Sequence, residues 1–308
     1  MESILNKDIE PGNAKNKKST IDSPGRIVLK RLIKNKLAMI GLILLVIMIL
    51  FSFIGPLFVS YGFNTHSDSV KMPPMAGHIL GTDYLGRDML TRLMYGGRIS
   101  ILVGVISVII EIVIGALIGA IAGYYGGKID SGLMAITDIF LSLPFLPIVL
   151  ILGSIMSDLK VDGNMRIFFL MVVLGVLSWP SVARLVRGEI LSLREQEFMQ
   201  ATEALGLKDT RKILKHLIPN VIPTIIVNAT LGVASAILTE SALSFLGMGV
   251  TEPVPSWGNM MTVANKLADF QKRLWLWVPP GLCILITVMS VNLFGDGLRD
   301  ALDPKIKR

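Results

Sequence analysis

Three carboxylates, Glu111, Asp138 and Glu240, sit inside long apolar runs of this 308-residue chain. A charged side chain at the centre of a membrane helix costs about 3 kcal/mol, so each needs a reason to be there. One reason is a polar path for a solute, with Asn228 as a further lining group. The other is an internal hydrogen bond or ion pair that fixes a helix bundle. Acid–base catalysis by paired carboxylates has no accompanying His or nucleophilic Ser in a working arrangement. His66, His78 and His216 are far from one another and from Cys283, so no zinc-ligand spacing exists. Asp296, Asp300 and Asp303 lack the alternate spacing and sixth-position Gly of a calcium loop, and read as helix caps and contacts to Arg299. Gly127-Lys128 lacks the upstream Gly and the following Ser or Thr of a phosphate loop. No metal, no catalytic residue and no cofactor of the chain's own is therefore expected.

The elements that carry these residues are membrane helices. The chain is 52% hydrophobic and only 17% charged, with a mean hydropathy of +0.64; soluble domains are about 25% charged. Six segments have the roughly 20 apolar residues that a span needs: 37–59, 99–121, 133–156, 167–186, 221–245 and 274–294. The first starts too late, is too long and lacks a small-residue cleavage site for a signal peptide. Pro144 and Pro147, Pro180, Pro223 and Pro279–Pro280 fall within the last four, and predict kinked, closely packed helices. The expected fold is all-α and polytopic. It divides into a polar tail (1–36, with 1–25 mobile), a first span, a loop (60–96), a five-helix core (97–297) and a short tail (298–308). With both termini inside, the inner segments hold 21 of the 30 Lys and Arg residues, which places both termini in the cytoplasm. The net charge of +7 belongs to these scattered basic loops, and no basic stripe suited to nucleic acid is present. In the outer loop 247–260, Trp257 is expected to anchor to lipid headgroups or to touch a delivery protein.

One inner segment is polar and helix-favouring: QATEALGLKDTRKILKHLIPN, residues 200–220. Phe198, Ala201 and Leu205 share a helical face. Gly206 then stops that helix as a residue with positive φ. Asp209 is the expected N-cap of a second helix, with Ile213, Leu214, Leu217 and Ile218 as its apolar face. Pro219 sets the junction with the next span. Such an elbow lays its apolar face on lipid, on its own bundle or in a partner's groove, and the pattern alone does not choose.

The elbow resembles the cytoplasmic loop of ATP-binding-cassette importer permeases, whose consensus is E-A-A, three residues, G, nine residues, I-x-L-P. Here it reads Gln200-Ala201-Thr202, Gly206 and His216-Leu217-Ile218-Pro219. Gln200 stands for the family's Glu, which Glu203 can replace one turn on. Three more stretches are similar to the dipeptide, oligopeptide and nickel permeases of this class. They are GTDYLGRDMLTRLMYGGRISILVG (81–104), ESALSFLGMGVTEPVPSWGNMM (240–261) and NLFGDGLRDALDP (292–304).

The resemblance implies the type I importer permease fold in the cytoplasmic membrane. It implies a second, homologous permease, two ATP-binding subunits that hold the ATP, and an extracytoplasmic solute-binding protein as partners. Membrane lipid surrounds the chain, and no nucleic acid binds. The loop 190–219 would couple to the ATPases through Gln200, Ala201, Glu203, Ala204, Leu205, Gly206 and Pro219. The expected cargo is a di- or oligopeptide, with nickel or a nickel chelate as the alternative. An ATPase-independent channel or secondary transporter would show inverted repeats, and none is evident.

Overall fold

The structure, a computed structural model, describes residues 24–303. The expected tail 1–25 lies almost wholly outside these residues, as does the end of 298–308. In chain order the helices are α1 (Pro24–Lys34), α2 (Lys36–Phe53), α3 (Met89–Tyr125), α4 (Gly127–Ser142), α5 (Phe145–Asp158) and α6 (Gly163–Arg194). They continue with α7 (Glu197–Ala204), α8 (Asp209–Arg211), α9 (Ile218–Phe245), α10 (Trp257–Met260), α11 (Leu267–Lys272) and α12 (Leu274–Leu302). The described residues hold no strand, only isolated bridges between Met75 and His78 and between Thr82 and Asp88.

Five helical stretches are long and apolar enough to cross a membrane: Lys36–Leu57, Met89–Tyr125, Gly163–Arg194, Asp209–Phe245 and Leu274–Leu302. The third expected span, 133–156, is not one helix. It is α4 and α5, bent by 72° at their junction. The cause is Pro144. The residue before a proline is pushed out of the helical region, and Leu143 is extended (φ −71°, ψ 129°). Pro144 also has no N–H to carry the helix forward. Pro147 does no such damage, because it falls in the first turn of α5, where N–H groups have no helical partner anyway.

The second span begins earlier than its apolar run suggests. Asp88 caps α3, its carboxylate accepting from the Thr91 N–H and the Thr91 hydroxyl, both at 2.8 Å. Asn35 caps α2 in the same way through the Ala38 N–H.

Helix α3 is the mast of the bundle, and α6 packs along it. Gly115, Gly119 and Gly123 repeat every four residues and line one face of α3. A Cβ on Gly115 would sit 2.6 Å from Cβ of Val182, and one on Gly123 would sit 2.9 Å from the Arg187 carbonyl. One on Gly119 would collide with the Ala183 carbonyl. Gly175 of α6 returns the contact, against Ile110 and the Ser107 carbonyl. Lipid tails are as apolar as leucine, so helices associate in membranes through close backbone approach and van der Waals contact. Gly41 of α2 does the same against α12, where its Cβ would lie 2.7 Å from the Ser290 carbonyl. Gly119→Ala is therefore expected to destabilise the purified protein by about 1–3 kcal/mol through overpacking. Gly132→Ala, where a Cβ meets nothing within 4 Å, is expected to be neutral or slightly stabilising. Thermal melts of the two variants in one detergent check this, and equal melting temperatures would contradict it.

Candidate functional site

A cavity of 480 Å³ opens in the middle of the bundle. Its wall is built from α3, the broken α4–α5 pair, α6 and α9, and the break at Leu143 lies on that wall. Seven polar side chains line it: Ser107, Glu111, Ser178, Ser181, Asn228, Ser235 and Thr239. Glu111 is the one charged group among them. It reaches towards α9, where its Oε2 lies 3.9 Å from the place a Cβ on Gly232 would take.

Of the four residues expected on a solute path, Glu111 and Asn228 line this cavity and two do not. Asp138 is exposed on α4 and paired with Arg184 at 2.6 Å. Glu240 is fully buried on α9, away from the cavity. It accepts hydrogen bonds from Ser244 (2.7 Å), Ser100 (2.8 Å) and Ser241 (3.4 Å). The Ser100 hydroxyl in turn accepts from the Trp257 backbone N–H at 3.2 Å. Glu240 thus joins α3, α9 and α10, the structural role rather than the path role. A buried carboxylate is tolerable only with this many donors.

Trp257 corrects a second expectation. It touches neither headgroups nor a delivery protein, because it is fully buried. A capping box between Ser256 and Asn259 turns the chain inward. The indole N–H then donates to the Leu93 carbonyl at 2.9 Å. Gly97 leaves the room, since a Cβ there would lie 2.6 Å from the indole ring.

The elbow is a short helix, a turn and a second helical entry. Gly206 has φ +65°, as its position after a helix demands. Its N–H donates to the Glu203 carbonyl and that of Leu207 to the Thr202 carbonyl, which closes the helix end. The buried face of α7 is not the expected one. Met199 and Thr202 face the bundle, and Phe198 packs beside them. Ala201 and Leu205 point outward, Leu205 with 77% of its surface free. Gln200, Glu203, Ala204, Gly206 and Pro219 are exposed as well. On the second arm Leu217 is buried, Ile213 and Ile218 pack with it, and Leu214 is exposed.

Asp209 is not a cap: Lys208 holds that place. The Asp209 carboxylate instead accepts from the Tyr124 hydroxyl at 2.6 Å. Lys212, nearly buried, reaches back to within 3.7 Å of Asp209 and 3.9 Å of Glu203. Residues Lys212–Leu217 form a π-helical turn that runs straight into α9. A proline in a regular helix clashes with the carbonyl four residues back. The wider turn gives Pro219 that space, and the Asn220 side chain donates to the His216 carbonyl at 2.6 Å.

A charged cluster caps the end of the bundle opposite the elbow. Asp83, Arg87 and Arg92 are neighbours in sequence, but their second acid, Glu252, comes from a loop some 160 residues on, and pattern along the chain does not join it to them. Arg87, almost wholly buried, donates to Asp83 at 2.6 Å and to Glu252 at 2.9 Å. Arg92 lies 3.5 Å from both carboxylates. Burial works against charge on Glu252, but hydrogen bonds from Arg87 and Tyr84 and both arginine charges outweigh it, and its carboxyl titrates below the usual range. Asp269 is likewise held low, against its burial, by Lys71 and Arg273. His78 pairs with Asp88 at 2.9 Å. At the far end the acids near the C-terminus cap no helix start: Asp296 and Asp300 lie within α12, and the Asp303 carbonyl accepts from Arg31 at 3.0 Å.

A carboxylate with a depressed folded pKa stabilises above its unfolded value and loses that contribution as pH falls through the folded one. The melting temperature in detergent is therefore expected to fall as pH drops below 4.5, the ordinary Glu value. Glu252→Gln should start lower at neutral pH and fall less steeply. A pH profile parallel to the parent's would contradict the assignment.

Comparison with known proteins covers nearly the whole chain. The family described as "Binding-protein-dependent transport system inner membrane component" matches residues 115–308. That described as "N-terminal TM domain of oligopeptide transport permease C" matches residues 23–74. The dipeptide transport system permease protein DppC of Alkalihalophilus pseudofirmus is 39% identical over 289 residues, 94% of this chain and 92% of that protein. The oligopeptide transport system permease protein OppC of Bacillus subtilis is 38% identical over 276 residues, 89% of this chain and 87% of that protein. Its namesake in Escherichia coli K12 is 41% identical over 280 residues, 90% of this chain and 89% of that protein.

Proposed function

The chain belongs to the family of binding-protein-dependent transport system inner membrane components, and from that premise we propose how its parts divide the work of moving a peptide. It is a multi-pass protein of the cell membrane and a permease subunit of a peptide ATP-binding-cassette importer. Both termini and the elbow face the cytoplasm, as the bias of Lys and Arg supports. The 480 Å³ cavity is this subunit's half of the solute path, and a second permease supplies the other half. An extracytoplasmic binding protein delivers the peptide. Two separate subunits bind and hydrolyse ATP, and this chain holds no nucleotide.

The observation that carries the mechanism is the outward face of the elbow. Gln200, Ala201, Glu203, Ala204, Leu205 and Gly206 are exposed together, while Met199 packs the same segment into a core cluster with Val186 and Ile190 and the buried Lys212 braces it from within through Glu203 and Asp209. An exposed leucine on a polar, rigidly backed helix suits the groove of a protein partner. The elbow is also mechanically joined to the cavity wall. It links α6 to α9 through the chain and reaches α3 through the Tyr124–Asp209 hydrogen bond. Those three helices line the cavity. A displacement of the elbow by a closing ATPase pair is thereby passed to the wall, and the cavity changes the side to which it opens.

Leu205→Glu tests the reading, because Leu205 supports nothing in the fold. The variant is expected to insert and melt as the parent does. Capture of the ATPase subunits in mild detergent, and ATP-dependent peptide uptake by the reconstituted complex, should fall about tenfold or more, as for loss of an interface hot spot. Undiminished capture and uptake would remove the elbow from the coupling path.

A further inference from the structure

Several charged and hydroxyl side chains of this bundle are paired, while Ser52 Oγ, Arg166 Nε, Trp275 Nε1 and Thr287 Oγ1 are, like Ser107 Oγ, buried without a hydrogen-bond partner among the described residues. Asp130 holds Arg187, Asp138 holds Arg184, and Glu189 accepts from Thr224. Glu240 has its serines. Glu111 has no hydrogen-bond or ion-pair partner among the described residues, although it sits midway along a span and faces the cavity. One turn before it on the same face of α3, Ser107 lines the cavity too. Its residue is 2% exposed, and its hydroxyl has no hydrogen-bond partner. An orphaned buried hydroxyl beside an unpaired carboxylate is costly unless something else completes it. Asn228, with a carbonyl oxygen free to accept, stands on α9 in the same wall.

Glu111, Ser107 and Asn228 share one property: each carries a side-chain oxygen that accepts hydrogen bonds. The described wall holds no Lys or Arg to compete for them. An ammonium group carries three donors and one positive charge. We propose that Glu111, Ser107 and Asn228 form a binding point for the cationic amino terminus of the transported peptide, so that the permease itself senses that end of its cargo. This rests on the reading of the cavity as the peptide path. It deepens that reading by giving the path a chemical preference. One carboxylate and two neutral acceptors make a shallow site, and a path must let its cargo leave. The side chains of the peptide lie beyond these three groups and are left unread, as suits a carrier of varied sequences.

The test uses the complete importer in liposomes: this chain, its partner permease, the ATPases and the binding protein. The cargoes are tri-alanine and N-acetyl-tri-alanine, each supplied at a concentration that saturates the binding protein. The readout is the ratio of their ATP-dependent uptake rates. The parent is expected to favour the free amine by about tenfold, the worth of one hydrogen bond to a charged group. Glu111→Gln should bring the ratio close to one. Glu111→Asp should keep part of it, and Ser107→Ala, which removes an unpartnered hydroxyl and threatens no folding contact, should lower it. A parent with no preference overturns the proposal. A preference that survives in Glu111→Gln overturns it while leaving peptide transport intact. Absence of ATP-dependent uptake of either peptide by the parent overturns the transport reading, and the proposal with it.

Discussion

The bundle depends on how closely α3 can approach α6. Glycines at 115, 119 and 123 remove the side chains that would hold the two backbones apart, and no hydrophobic force is available in lipid to compress a looser contact. Once α3 is seated, its other faces organise the rest. Ser100 points at Glu240, Gly97 admits the ring of Trp257, and Ser107 and Glu111 face the cavity. A helix of 37 residues can do all of this because it outruns the bilayer at one end and reaches the elbow at the other through Tyr124.

Polar groups are distributed by what each part of the bundle must do. Arg87 and Arg92 are buried with two acids each, and Glu240 is buried with serines. These arrangements hold elements at fixed distances, because removing one partner would strand a charge. Along the cavity the pattern changes. Hydroxyls and a carboxylate face open space, and the wall contains a helix break in place of a continuous ladder. Irregular backbone at membrane depth survives where it lines a cavity, so the 72° bend and the polar lining belong to one feature.

The elbow combines rigidity behind with adaptability in front. Its Gly206 turn, π-helical entry and Lys212 anchor fix its pose. The outward row offers two polar side chains, Gln200 and Glu203, small residues and one leucine. A lever needs both: a surface that a partner can grip, and a connection to the load that does not give.

Much of this was legible from residue order. The membrane class, five of six spans, the glycine stop at Gly206 and the presence of a polar elbow follow from local composition and backbone preference, which neighbours in space do not alter. Pro144 was visible too, and the break follows from it locally, through the extended Leu143 before it and its missing N–H. Other features were set only by tertiary structure. Glu111 and Glu240 look alike in sequence, each one acid in an apolar helix. Rotation of their helices turns one to a cavity and the other to three serines. The same holds for α7, where Met199 and Thr202, not Ala201 and Leu205, face inward. Trp257 is the clearest case: a loop tryptophan beside prolines is buried because a glycine from α3, 160 residues earlier in the chain, leaves it a place. Pattern along a chain reports the preferences of a residue, whereas its neighbours across the bundle decide whether a polar group is fastened or left free to bind.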